Sequence, residues 1–198
     1  MPKLQTDKPD IPPALWALLD GRLWHATGPD ELRGILSDGR IRVLGHRYLN
    51  SLSKSLGAVS LFDFGPTATK VSSQCQNWAG WLGHQQKARV AVWLEIDRAA
   101  VAEQLNDAAA TLQIWKSQLS KQLIPGVEAC YPGDLDVGHV VSVLLIDRHD
   151  PNRFWRPEWT LGEIGEEIAR FEQSLPPPEN YLARATRLAA RRTTHPLE

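Results

Sequence analysis

The sequence predicts a single α+β domain, and three observations support this class. The chain has 198 residues, which is long enough for one sizeable hydrophobic core but short for two full domains. Hydrophobic residues make up 42% and charged residues 23%, as in ordinary globular proteins. The predicted elements begin with a strand and a helix, continue with strands around one helical insertion, and end with helices. This order favours α+β over alternating βαβ units.

The first part of the chain predicts two helices and three strands. Residues 1–13 are polar and rich in proline, which predicts a flexible lead. Helices are predicted for "ALWALLD" and "GPDELRGILSDG", the second with Pro29 in its first turn and Gly39 just past its end. Strands are predicted for "RLWHAT", "IRVL" and "AVSLFDF". The polar stretch between the last two strands predicts a loop or a short helix.

The second part predicts more strands around an alanine-rich helical segment. A helix with an aromatic face is predicted for 67–82, and the alternation in "RVAVWLEID" predicts a strand. The segment "RAAVAEQLNDAAATLQIWKSQLS" is predicted as at least partly helical. "VEACY" and "HVVSVLLID" predict strands, the second apolar on both faces and therefore central. We expect residues 14–150 to form the domain and 151–198 a C-terminal helical extension packed on it, which begins with the loop "RHDPNRFWRPEW".

Charge, cysteine content and hydropathy bear on the compartment and on the kind of partner. A formal net charge of −1 gives no overall field that would attract nucleic acid or an anionic membrane, so such a partner needs a local patch. Cys75 and Cys130 form no disulfide framework and no CxxC zinc motif. The sequence shows neither a signal-peptide apolar region nor an apolar run of membrane-spanning length. We expect a cytoplasmic protein with no membrane partner and no metal.

Familiar nucleotide and hydrolase motifs are missing from the sequence. It contains no GxxxxGK[ST], GxGxxG, HExxH or GxSxG pattern. The candidates for a site are polar residues beside predicted strands or in loops between apolar segments: His25, Thr27, Arg47, Ser60 and Glu128. Polar groups in such places need partners, and a ligand is one candidate partner.

Each of these residues also has a purely structural interpretation. Glu128 opens a predicted strand, where a carboxylate is costly unless it is paired, lies at a cleft or is the surface charge of an edge strand. His25 is either a core histidine with both nitrogens bonded or a ligand-binding residue. Arg47 is either a solvated loop residue or the partner of an anionic ligand.

The C-terminal part offers one more pair of alternatives. A basic helical face there is either solvated or a nucleic-acid patch, and its members are Arg184, Arg187, Arg191 and Arg192. Trp155 and Trp159 could stack on bases or pack the terminal helices onto the core.

Three segments together resemble ADP-ribosyltransferases. They are "LWHATGPDELRGILSDGRI", "AVSLFDF" and "VEACYPGDLDVGHVVSVLLI". The nearest resemblance is to the DarT-type toxins, which modify single-stranded DNA using NAD. Those enzymes begin with a strand carrying H-x-T and a helix carrying G-I-L, matched here by His25 to Thr27 and Gly34 to Leu36. They end with a glutamate that opens a strand, then a turn and an apolar strand, matched here from Glu128 onward.

The resemblance implies a fold, a co-substrate and residue roles. The fold would be an ADP-ribosyltransferase-like split β-sheet core with helices and a C-terminal helical extension. Glu128 would be the catalytic carboxylate and Arg47 the upstream arginine of the family. The implied NAD contacts are His25 to the ribose, Ala26 and Thr27 to the nicotinamide end, Gly34 to the dinucleotide, and Ser60 and Phe62 in the nicotinamide pocket.

The implied activity is transfer of ADP-ribose from NAD to an acceptor, as in a toxin or defence factor. Arginine-modifying relatives carry a second glutamate two positions before the catalytic one, where this chain has Gly126. The acceptor is therefore open among single-stranded DNA, RNA and protein, and a cognate antitoxin is a candidate partner. The alternatives are an RNA 2'-phosphotransferase of the same fold and a non-catalytic module that binds a nucleotide or partner.

Overall fold

A computed structural model of the protein describes residues 12–43, 50–65, 88–158 and 163–177. Three predictions fall outside these ranges: the flexible lead up to residue 11, the helix over 67–82 and the basic final helix. Arg47 and Trp159 also lie outside the described residues.

The described helices agree closely with the predicted ones at the start of the chain. They are α1 (Pro13–Leu19), α2 (Pro29–Asp38), α3 (Leu52–Ser55), α4 (Arg98–Val101), α5 (Ala108–Lys116) and α6 (Ile164–Ser174). Gly39 ends α2 at φ 66°, a conformation that glycine adopts without strain. None of these described helices combines the length and apolar composition needed to span a bilayer.

The strands form one large sheet and one small ribbon. The strands are β1 (Leu23–Thr27), β2 (Arg40–Ile41), β3 (Ala58–Asp63), β4 (Val90–Ile96), β5 (Glu128–Pro132), β6 (Leu135–Asp136), β7 (Val140–Asp147) and β8 (Phe154–Trp155). The six-stranded sheet has the order β5-β3-β1-β4-β7-β8, and β2 pairs with β6. Neighbouring strands run antiparallel throughout. The predicted α+β class is confirmed.

Helices cover both faces of the sheet, so β4 is apolar on both sides. Its residues Val90, Val92 and Leu94 pack in one cluster with α2 and α6. Its residues Ala91 and Trp93 pack in a second cluster with α1, on the opposite face. Alternation of side chains along a strand explains this division.

The alanine-rich segment is partly helical, as predicted. It forms α4 and α5, which are separate because Asn106 between them pairs with Cys130 of β5 through two backbone hydrogen bonds of 2.9 and 3.0 Å. Two other predictions needed correction. The loop predicted after Asp147 contributes β8, which pairs with the end of β7 and so makes part of the extension a strand. Strand β7 is second from the sheet edge rather than central.

A buried carboxylate anchors the end of β3. Asp63 is fully buried and forms an ion pair with Arg98 of α4. The same carboxylate accepts hydrogen bonds from the Gly65 amide at 2.7 Å and the Ala108 amide at 3.1 Å. One side chain therefore fastens β3 to the first turns of α4 and α5.

Substitution Asp63→Ala should destabilise the protein strongly, because it leaves a half-buried guanidinium and two amides without their acceptor. We expect a loss of about 3–5 kcal/mol of unfolding free energy, measured by urea denaturation. The control is Asp30→Ala, which removes the exposed ion pair with Arg33 and should cost less than about 1 kcal/mol. Equal losses in the two variants would contradict the anchoring role.

Candidate functional site

Strands β1 and β3 pair at one end only. Their register joins Leu23 with Asp63 and Trp24 with Phe62, and it stops there. Beyond that point β1 remains paired with β4 and β3 remains paired with β5. The sheet therefore divides between β1 and β3.

Partly exposed side chains mark this division. In β1 only His25 and Ala26 are half-buried, and in β3 only Ser60 and Phe62 are. The other residues of the two strands are buried. All four half-buried residues belong to the set that the sequence predicts as a site.

His25 bonds across the division to the backbone of β3. Its Nδ1 lies 3.1 Å from the carbonyl oxygen of Ser60. A carbonyl oxygen can only accept, so Nδ1 carries the proton and Nε2 of the neutral ring is left as an acceptor. Burial lowers the pKa of His25 below its ordinary value of 6.5, and the bond to Ser60 only partly opposes this shift. The ring is therefore neutral near pH 7.

Glu128 is a buried, hydrogen-bonded carboxylate. Its Oε1 accepts from the Ser60 hydroxyl at 2.8 Å, and its Oε2 accepts from the Ile124 amide at 3.0 Å. Burial raises the pKa of Glu128, while hydrogen bonds from Ile124, Ser60 and Ser53 act in the opposite direction. With 6% of Glu128 exposed, the surface-charge interpretation is wrong, although β5 lies at the sheet edge.

Ser60 links the two predicted residues. Its hydroxyl donates to Glu128 and its carbonyl accepts from His25. His25 lies opposite Leu94 and Glu128 lies opposite Phe62, on opposite faces of the sheet, so one serine joins them across the strand rather than a direct hydrogen bond. Ser60 also lies opposite Cys130, a buried free thiol whose pKa is raised to about 12 by burial and by the charge of Glu128.

A cluster of aromatic rings lies next to Glu128. Phe62 lies opposite Glu128 in the register and stacks on Trp93 of β4, with ring centroids 4.8 Å apart. Trp93 lies opposite Ala26 on β1, so its indole must cross β1 above this small residue to reach Phe62 on β3. Ala26 therefore makes room for the indole.

Thr27 and Gly34 are placed differently from the other predicted residues. Thr27 ends β1, and its side chain is buried. Gly34 lies on the exposed side of α2, away from the buried residues Leu32 and Ile35. A Cβ at Gly34 would meet nothing within 4 Å, so no neighbouring wall makes glycine necessary there.

Sequence reasoning missed three parts of the site. Ser53 of α3 and the Ile124 amide both bond to Glu128, and Trp93 stacks on Phe62 in the neighbouring aromatic cluster. The first two depend on contacts between distant segments that no local pattern reveals. Trp93 carried one signal, since an indole with a polar N–H stands in an otherwise aliphatic part of "RVAVWLEID".

Among the described residues, no group of three or more histidine, cysteine or acidic side chains could hold a metal ion. Comparisons of the chain with protein-family models, with curated proteins and with solved structures found no match.

Removal of the Ser60 hydroxyl should raise the pKa of Glu128 further, because that hydrogen bond favours the carboxylate form. The pKa can be followed in Ser60→Ala by NMR titration of the Glu128 carboxyl carbon. The His25 titration should stay unchanged, since His25 bonds to the Ser60 backbone. Ser55→Ala is the control, because the Ser55 hydroxyl donates to Leu52 and Gln118 instead. An unchanged Glu128 pKa in Ser60→Ala would contradict the assigned bond.

Glu128→Gln should remove part of the pH dependence of stability. The folded-state pKa of Glu128 is raised, so the folded protein binds its proton more tightly, and the contribution of Glu128 to stability falls as pH rises above 4.5 and through that pKa. Glutamine does not ionise. Its amide oxygen can accept a hydrogen bond from the Ile124 amide while its NH2 group donates one to the Ser60 hydroxyl. The difference in unfolding free energy, variant minus wild type, should therefore increase from pH 5 to pH 8. A difference that stays constant or decreases over that range would show that the pKa of Glu128 is not raised.

Proposed function

We propose that the protein is an NAD-dependent ADP-ribosyltransferase that moves ADP-ribose from NAD to a nucleic acid or protein acceptor. The observation that carries this proposal is the linkage of His25 and Glu128 through Ser60 where β1 and β3 separate. These two residues are the ones that the resemblance assigns to the ribose and to catalysis.

The protonation state of His25 suits a ribose contact. Nδ1 is occupied by the Ser60 carbonyl, so Nε2 is the nitrogen that can accept a hydrogen bond from a hydroxyl group. A neutral ring also places no positive charge next to a ribose that develops positive charge during the reaction. His25 would therefore orient the sugar without opposing the reaction.

The environment of Glu128 suits stabilisation of positive charge. Departure of nicotinamide breaks the glycosidic bond and develops oxocarbenium character on the ribose. A nearby carboxylate in a poorly solvated place stabilises that charge strongly. Attack by the acceptor forms the new bond at the same carbon, and Glu128 would take the proton that the acceptor loses.

The described partners of the two residues bear on the choice between this reaction and 2'-phosphotransfer. Among the described residues, the hydrogen-bond partners of His25 and Glu128 are serine hydroxyls, a carbonyl and an amide. A phosphotransferase would need several basic groups around its phosphate. The uncharged set of described partners around Glu128 suits a substrate that becomes cationic.

Wild-type protein incubated with NAD should release nicotinamide, and labelled NAD should mark one class of acceptor when single-stranded DNA, RNA and protein are offered separately. We expect Glu128→Gln to lower the rate by about 100-fold or more, because its amide can neither stabilise the cation nor accept the proton. We expect His25→Ala to raise KM.

Glu95→Gln is the matched control for Glu128→Gln. Glu95 is a largely buried carboxylate of the same sheet, but it lies on β4 and is held by Arg22 and Arg156 at 2.7 Å each. It should retain nicotinamide release per folded molecule. Absence of release by the wild type with every acceptor would favour the non-catalytic binding module. Undiminished release by Glu128→Gln would remove Glu128 from the catalytic role.

A further inference from the structure

Trp93 carries a buried donor without an acceptor. The residue is 1% exposed, and its indole Nε1 finds no hydrogen-bond partner among the residues that the structure describes. Burying an N–H group without an acceptor destabilises a fold, so native proteins rarely do it without a reason.

Other indoles of the described chain show what is normal here. Trp24, buried on the same face, donates from Nε1 to the Leu19 carbonyl at 3.3 Å. Trp115 donates to the Lys121 carbonyl at 2.7 Å. The unsatisfied N–H of Trp93 is therefore a property of its position rather than of indoles in this fold.

That position adjoins the candidate site. Trp93 stacks on Phe62, which lies opposite Glu128, and on Phe64, with centroids 6.1 Å apart. Its cross-strand neighbour Ala26 is small, and both Ala26 and Phe62 are half-buried. A ligand that enters at Ala26 and Phe62 would lie beside the indole, on the face to which the Glu128 side chain belongs.

We propose that Trp93 recognises the nicotinamide group of NAD, with its indole N–H donating to the carboxamide oxygen. The surrounding rings suit a flat aromatic group, and the unsatisfied donor calls for an acceptor on that group. This inference rests on the proposed function. It makes Trp93 a residue that determines specificity for the leaving group, next to the carboxylate that would act on the ribose.

The test compares Trp93→Phe with Trp115→Phe, which also removes an indole N–H but breaks the bond to Lys121 and lies outside the core cluster that holds Trp93. Nicotinamide and NAD are the probes, and their affinities are measured by calorimetry. We expect Trp93→Phe to weaken nicotinamide binding about tenfold and Trp115→Phe to leave it unchanged. With active enzyme, Trp93→Phe should raise KM for NAD more than it lowers kcat.

A second measurement uses the unaltered protein and so does not depend on the folding of a variant. The indole N–H signal of Trp93, assigned by its loss in Trp93→Phe or by selective labelling, should move downfield in NMR spectra as nicotinamide saturates the protein. If the wild type binds NAD but this signal stays in place, or Trp93→Phe binds nicotinamide as tightly, the inference is wrong and the proposed function stands. If the wild type binds neither probe, both are wrong.

Discussion

The pairing of β1 with β3 stops after Trp24 and Phe62, and the rest of the site depends on that interruption. If β1 and β3 stayed paired along their length, their facing backbone N–H and C=O groups would bond to each other and the neighbouring residues would be buried. Because it stops, the Ser60 carbonyl is free to bind the His25 ring, and the neighbouring positions are half-buried. The strands stay fixed nevertheless, since β4 and β5 hold them from the outside.

Burial acts on both titratable groups of the site in the direction of neutrality. It lowers the pKa of His25 and raises that of Glu128, so the site tends towards an uncharged state. Burial destabilises the ionised form of Glu128 in the free protein. A positive charge that forms next to the carboxylate would stabilise it. Under the proposed function, that charge arises on the ribose during bond cleavage.

Local patterns in the sequence predicted the elements that carry the site. Apolar alternation, proline and glycine positions located β1, α2, β3 and the start of β5, and hence the strand positions of His25 and Glu128. The link through Ser60 could not be predicted in this way, because it depends on the register between β3 and β5. Register between distant strands is set by packing rather than by local composition.

Other differences have equally physical causes. The two residues of β8 are too few to show a strand period, and they are a strand only because the end of β7 offers a partner. The break before α5 follows from the pairing of Asn106 with β5, another contact between distant segments. The unsatisfied indole N–H of Trp93 could not be predicted from the sequence, because such a prediction needs the position of every neighbouring acceptor.

Cys130 gives the protein an internal reporter of the state of this region. Thiols react with alkylating reagents as thiolates, and a pKa of about 12 together with full burial keeps this one protonated and covered. Cys130 lies between Ser60 of β3 and Asn106, so it becomes reactive when β5 separates from one of these neighbours. The rate of its alkylation therefore measures how often the edge strand that carries Glu128 opens, without any ligand or activity being known.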